Sequence, residues 1–317
     1  MKISDRKSVD EGSRRTHLSP KGRGMNLKTL CILCTLAIAL GFDAFAQDAA
    51  PVDDFAAYAW LSEMPGLDAP DALVALSARF PAPAGFTRVP VEKGSFAAWL
   101  RGLPLRTDRT SVLAYDGSEI DAPAAATVAL DVGERDLQQC ADTAIRLRAE
   151  YLWASDQADT IAFSFTSGDL AKWKDWRQGE RFEIGDHEVT RTRKAKKSAS
   201  RETFHAYLNT VFMYAGTRSL VKDMQSVGDD EPIEAGMVFD QGGSPGHAVM
   251  VLDVAVSEEG RRVALVGQGY MPAQEMHVLE DQGAHVLDGV WFLLPGPGES
   301  LDTPSWKPFE RSALLRF

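Results

Sequence analysis

The sequence is poor in cysteine, in positive charge and in apolar runs long enough to cross a bilayer. Three cysteines in 317 residues are too few for a disulfide-stapled scaffold. Lys and Arg number 34 against 45 Asp and Glu, and the net charge of −11 repels nucleic acid and anionic lipid, so neither is expected as a partner. The most apolar stretch, "TLCILCTLAIALGF" from Thr29 to Phe42, is short for a membrane span, and no stable membrane insertion is expected. There is no His-Glu-x-x-His, no Cys-x-x-Cys after residue 46, and no phosphate-binding loop ending in Gly-Lys-Ser or Gly-Lys-Thr. A zinc protease, a zinc ribbon and a P-loop nucleotidase lose support, and neither a metal site nor a cofactor is expected.

The apolar stretch has another reading. Lys28 precedes it and "AFA" closes it before Gln47, the pattern of an export signal from Met25 to Ala46. Residues 1–24, polar and ahead of a second methionine, read as an upstream extension. Cys31 and Cys34 lack the Leu-Ala-Gly-Cys type of context that a lipoprotein anchor requires. The expected product begins near Gln47 and is periplasmic, of Gram-negative type, or secreted. Removing the first 46 residues takes away eight basic and four acidic side chains and leaves 26 against 41, a net charge of −15. It also leaves Cys140 as the only cysteine. A lone thiol where disulfides are usual is either a buried filler or a free, reactive group.

Three segments are expected: the extension and signal (1–46), a helical N-terminal segment (47–105) and one larger domain (106–317). In the second, "DDFAAYAWLSEM" and "DAPDALVALSARF" carry helix-start signals. "GSFAAWLRGLPL" has Ser95 as N-cap and Gly102 just past the end. In the third, "TSVLAYDG" and "ATVALDVG" alternate like strands and run into the helix that carries Cys140. A long helix, "ETFHAYLNTVFMYAGTRSLVKDM", bends or restarts at Gly216-Thr217. The last third, with "AGMVFDQ", "HAVMVLDVAV", "RRVALVGQG" and "GVWFLLP", reads as an antiparallel sheet, and "SEEG" as a hairpin connection. The basic run "RTRKAKK" at 191–197 is either a solvated loop or a grip for an anionic polymer.

Asp136 and Gln139 are spaced like a capping box, which places Cys140 about one turn into its helix. Apolar residues at Leu137, Ala141, Ala144, Ile145, Leu147, Tyr151 and Leu152 give that helix one buried face, beside which Cys140 lies. A filler needs nothing more. A nucleophile needs its thiol activated, because free cysteine titrates near pKa 8.5 unless a helix N-terminus or an imidazolium lowers it. Of His187, His205, His247, His277 and His285, His247 is best placed: the turn "GGSPGH" delivers it to the first position of a strand. Gln268, on the neighbouring strand, can then orient the imidazole through its second nitrogen.

The order of a lone cysteine at a helix start, then "IEAGMVFDQGGSPGHAVMVLDVA", then a polar residue on the next strand resembles papain-like cysteine hydrolases, especially the NlpC-type cell-wall peptidases. The match is incomplete, since Gly236-Met237-Val238-Phe239 lacks the aspartate of their Gly-Asp-x-Val-Phe strand. "DLQQCADTAIRLRAEYLW", "YAGTRSL", "GSPGHAVMVLDVA" and "GQGYMPAQEMHVL" more closely resemble the bacterial domain-of-unknown-function family 4846, whose name assigns no activity.

The papain-like resemblance implies an α+β fold in which the helix bearing the cysteine packs on an antiparallel sheet, after an N-terminal helical segment. It implies Cys140 as nucleophile, His247 as base and Gln268 as orienting residue, cutting an amide bond without a cofactor. For an exported protein the expected partner is peptidoglycan, cut in its peptides, or another envelope substrate. Gln138 or Gln139 is expected to join the Cys140 N–H at the oxyanion. Arg148 or Arg146 pairs with a stem-peptide carboxylate, unless each is taken up in packing or a helix salt bridge. Tyr270 and His277, in "YMPAQEMH", are placed on a rim loop near the site; His277 as a surface or capping histidine is the plainer alternative. Two other functions fit the same fold: a thiol acyltransferase acting on lipid, and a non-catalytic binding module with Cys140 packed in the core.

Overall fold

Val crowds the last third of the chain, and there its residues help to assemble most of a ten-stranded sheet. The computed structural model describes residues 55–67, 71–185 and 188–317, all within one compact unit, Asp48–Phe317. The expected export signal and upstream extension, with Cys31, Cys34 and His187, lie outside the described residues.

The sheet contains β1 (Phe86–Arg88), β2 (Ala124–Thr127), β3 (Gln225–Ser226), β4 (Val238–Gln241), β5 (His247–Ser257), β6 (Arg262–Gln268), β7 (His277–Leu279), β8 (Val286–Leu287), β9 (Trp291–Leu293) and β10 (Leu314–Arg316). Its order is β3-β10-β4-β5-β6-β7-β2, with β1 paired to β5, β9 to β6 and β8 to β9, and every pairing is antiparallel. Successive side chains of a strand point to opposite faces, and β5 shows this cleanly. Ala248, Met250 and Leu252 join the larger core, whereas Val249 and Val251 join a second one with Phe239 and Phe309.

Four helices of more than one turn flank the sheet: α1 (Phe96–Arg101), α2 (Cys140–Ala154), α3 (Arg201–Tyr214) and α4 (Thr217–Asp223). Ala141, Ala144, Ile145 and Leu147 of α2 share the larger core with Ala248, Met250 and Leu252, and the small residues at the contact let helix and sheet approach closely. Ser200 caps α3 by accepting from the Thr203 N–H, and Gly216 donates to Ser219 Oγ at 2.9 Å, so the long helix restarts where the sequence predicts. Ser95 likewise caps α1, accepting from Ala98 N–H.

Two expectations change. "DALVALSARF" is mostly not helical: Leu73–Ala75 is a strand paired with Pro104–Arg106, and only Leu76–Arg79 coils. Pairing with a partner thirty residues away outweighs a modest helix propensity. The segment before residue 105 is also built into the same core. β1 adds to β5, where a bulge between Val251 and Asp253 presents a fully buried carboxylate that Arg88 and Arg101 both grip at 2.6 Å. Among the described residues no helix is long and apolar enough to cross a membrane.

Candidate functional site

Cys140 is the first residue of α2, not a full turn inside it. Asp136 does not cap the helix because its carboxylate is spent elsewhere, accepting from the Ala273 N–H at 2.7 Å and from Gln139 Nε2 at 3.0 Å. Asp142 takes over, accepting from the Gln139 N–H at 3.2 Å. Cys140 therefore sits where helix N–H groups lack intrahelical partners.

Two glycines bring the remaining parts close. A Cβ on Gly269, just past β6, would overlap the Thr143 hydroxyl, so the end of β6 can lie against the first turn of α2. A Cβ on Gly246 would overlap the Thr217 hydroxyl, which lets the turn before His247 pack on the start of α4. The result is a cleft of about 500 Å³ lined by Gln139, Cys140, Asp142, Thr217, Arg218, the Gly243–Gly246 turn and Met271. Gly242 to Gly246 spells Gly-x-Ser-x-Gly, yet it joins two antiparallel strands, so it lacks the strand-to-helix geometry of a hydrolase nucleophile elbow.

The sulfur is 7% exposed. Burial pushes its pKa up to about 11, although the N–H groups of Ala248 and Ala141 are directed at it and favour the thiolate. This overturns the expectation of an acidified thiol: the helix start supplies donors, but desolvation wins. His247, adjacent to Ala248, is fully buried among the rings of Tyr270 (4.8 Å), Trp306 (5.1 Å) and Phe309 (6.0 Å). Burial pulls its pKa down to about 4. At neutral pH the thiol and the imidazole are both uncharged.

The histidine is held on one side only. Its Nε2 lies 2.8 Å from Gln268 Oε1, while its Nδ1 is buried with no hydrogen-bond partner. Gln268 in turn points its Nε2 at His277 Nε2 (3.2 Å) and Ser305 Oγ (3.1 Å). The structure thus joins His247 to Gln268 directly, and sets the sulfur against the residue next to His247. Asp240, on β4 opposite Ala248, is 5% exposed with both carboxylate oxygens unpartnered, and burial raises its pKa to about 7.

The expected substrate contacts fare differently. Tyr270 stands at the site, half-buried against His247, its hydroxyl donating to the Ser305 carbonyl at 3.2 Å. His277 is not on a rim: it lies in β7, fully buried behind Gln268. Gln138 cannot serve an oxyanion with its side chain, since its Oε1 accepts from Arg146 and its Nε2 donates to the Asp131 carbonyl. Arg148 lies two turns along α2 from Cys140, about 12 Å, and stacks over Phe96, Tyr151 and Phe317 at 5.2–5.4 Å. Arg146 is buried against Asp131 and Glu150. His205 is paired with Glu63, and His285 with Asp281.

Sequence reasoning missed Ser305 and Trp306. They come from the hairpin Ser300–Thr303/Trp306–Glu310, Ser305 in its turn and Trp306 opening its second strand. Among the described residues no group of His, Cys, Asp and Glu is arranged to hold a metal ion.

Fold and site together define a chain of mixed helix and antiparallel sheet that sets Cys140 at a helix start, against the backbone of the strand whose first residue forms a buried histidine–amide pair. The chain belongs to domain-of-unknown-function family 4846: the model described as Domain of unknown function (4846) matches residues 76–316. No curated protein and no solved structure matches it.

Proposed function

We propose that this protein is a thiol-dependent amide hydrolase of the cell envelope, with a papain-like, NlpC-type core, acting on the peptides of peptidoglycan after export. The observation that carries the reading is the division of labour on His247. One ring nitrogen is fixed by Gln268 and the other is buried, bare and on the residue adjacent to the one whose N–H faces the Cys140 sulfur. A ring fixed at one nitrogen and bare at the other supports the reading of His247 as a base and Gln268 as the group that orients it.

Because thiol and imidazole both rest neutral, proton transfer accompanies attack. Cys140 Sγ bonds to the carbonyl carbon as its proton passes to His247 Nδ1. The oxyanion is met by backbone N–H groups of the first turn of α2, not by the Gln138 amide. The imidazolium then protonates the departing amine, leaving a thioester. Water, losing a proton to His247, releases the acid and restores the thiol. Tyr270 and Trp306 wall the imidazole, and Arg218, exposed on the cleft, replaces Arg148 as the cation within reach of a peptide carboxylate.

Burial of the sulfur also favours a second reading, a binding module in which Cys140 only packs. Incubating purified protein with peptidoglycan fragments, beside Cys140→Ala, and reading the products by mass spectrometry separates the two. New fragments from the wild type alone support hydrolysis. Identical profiles, with fragments retained by both proteins, support the module.

A further inference from the structure

Behind Gln268 lies a second buried histidine that no step above uses. His277 occupies β7, directly opposite Gln268 in the strand register, and is fully buried. Its Nδ1 is 3.1 Å from the backbone carbonyl of Glu275. A carbonyl oxygen can only accept, so Nδ1 carries the proton, and in the neutral ring Nε2 is then a bare acceptor.

The consequences run outward through one amide. A bare His277 Nε2 at 3.2 Å must face the Gln268 NH₂, whose other hydrogen reaches Ser305 Oγ. Both donors of the amide are then occupied, and Oε1 is turned toward His247. An oxygen there requires His247 to be protonated on Nε2, which leaves Nδ1 bare. Turning the amide over would set two acceptors against each other at His277 and give His247 its proton on Nδ1, the wrong nitrogen.

We propose that His277 is a positioning residue: it locks the orientation of the Gln268 amide and through it the tautomer of His247 that leaves Nδ1 bare. The proposal rests on the reading of His247 as the base, but its deciding readout, the ring tautomers, needs no substrate.

The test is a long-range proton–nitrogen NMR correlation on the whole protein labelled at histidine, with His247→Gln used to assign the ring. The wild type is expected to show His247 protonated on Nε2 and His277 on Nδ1. His277→Phe keeps a ring but offers no acceptor; it is expected to shift His247 toward the Nδ1-protonated form. Turnover falls on the order of 10²-fold or more at unchanged KM, since the wrong tautomer withdraws the base. His277→Gln, whose amide oxygen can accept the same N–H, restores the tautomer and most of the turnover. A wild-type spectrum with His247 protonated on Nδ1 overturns the proposal even if His277→Phe does not fold. An unchanged His247 in folded His277→Phe overturns it as well. Wild-type protein that shows these tautomers yet cuts no amide removes the hydrolase reading and leaves the role of His277 standing.

Discussion

Two buried polar clusters meet α2, one along its body and one at its start, and they are built on opposite terms. Along the body, Arg146 is 2% exposed and bonds Asp131, Glu150 and Gln138, while Arg201 from α3 grips both oxygens of Glu150 at 2.7 Å. Every charge there has a partner. At the start, His247, Gln268 and His277 are neutral, and the cluster leaves His247 Nδ1 open. A buried ionic cluster with all its valences met can fix helices to each other and nothing more. A neutral one with a buried ring nitrogen left unpartnered keeps the capacity to take a proton. Arg146, which the sequence offered for substrate, belongs to the first kind.

Cutting each cluster sharpens the contrast. The largest effect is expected at the cleft: Cys140→Ala lowers release of peptide from peptidoglycan by ~10³-fold or more, with a melting temperature close to that of the wild type. Arg146→Met does the reverse. It strands Asp131 and removes one partner of Glu150, costing about 3–5 kcal/mol of stability, read as a fall in the urea midpoint, while the folded fraction keeps its turnover.

A third expectation concerns pH. The His247 imidazole has its ordinary pKa of 6.5 in the unfolded chain and about 4 in the fold. Its contribution to stability is therefore complete above pH 6.5 and is lost as pH falls through 4, on the order of 3 kcal/mol in all. Urea unfolding between pH 7.5 and 4 should show that slope, and His247→Gln should flatten it. A fourth expectation concerns Asp240, whose raised pKa works in the other sense. Keeping it in the fold costs stability that grows as pH rises to about 7. Asp240→Asn should therefore stabilise the protein at pH 8 by up to about 4 kcal/mol, with the gain shrinking toward pH 4. A gain over the wild type that is equal at both pH values would overturn this reading of Asp240.

Much of this frame is legible in the residues themselves. The alternation in "HAVMVLDVAV" and "RRVALVGQG" marks β5 and β6, and a turn followed at once by a histidine marks His247 as the first residue of its strand. Gln268 can be inferred because neighbouring antiparallel strands bring their ends level. Other features depend on contacts no local pattern encodes. Asp136 looks like a cap until Ala273, more than a hundred positions away, claims its carboxylate. The acidity of a thiol at a helix start can be argued either way until its burial is known. His277 reads as a loop residue because its strand is only three residues long, too short to show a period.

The lone cysteine poses a question of durability. Oxidants attack the thiolate, and a sulfur kept as a thiol by a pKa near 11 offers almost none at neutral pH. Burial thus shelters the one unpaired sulfur from sulfenic acid and stray mixed disulfides in any compartment that oxidises thiols. The protein can then age slowly there, its thiol spent on no small oxidant that passes.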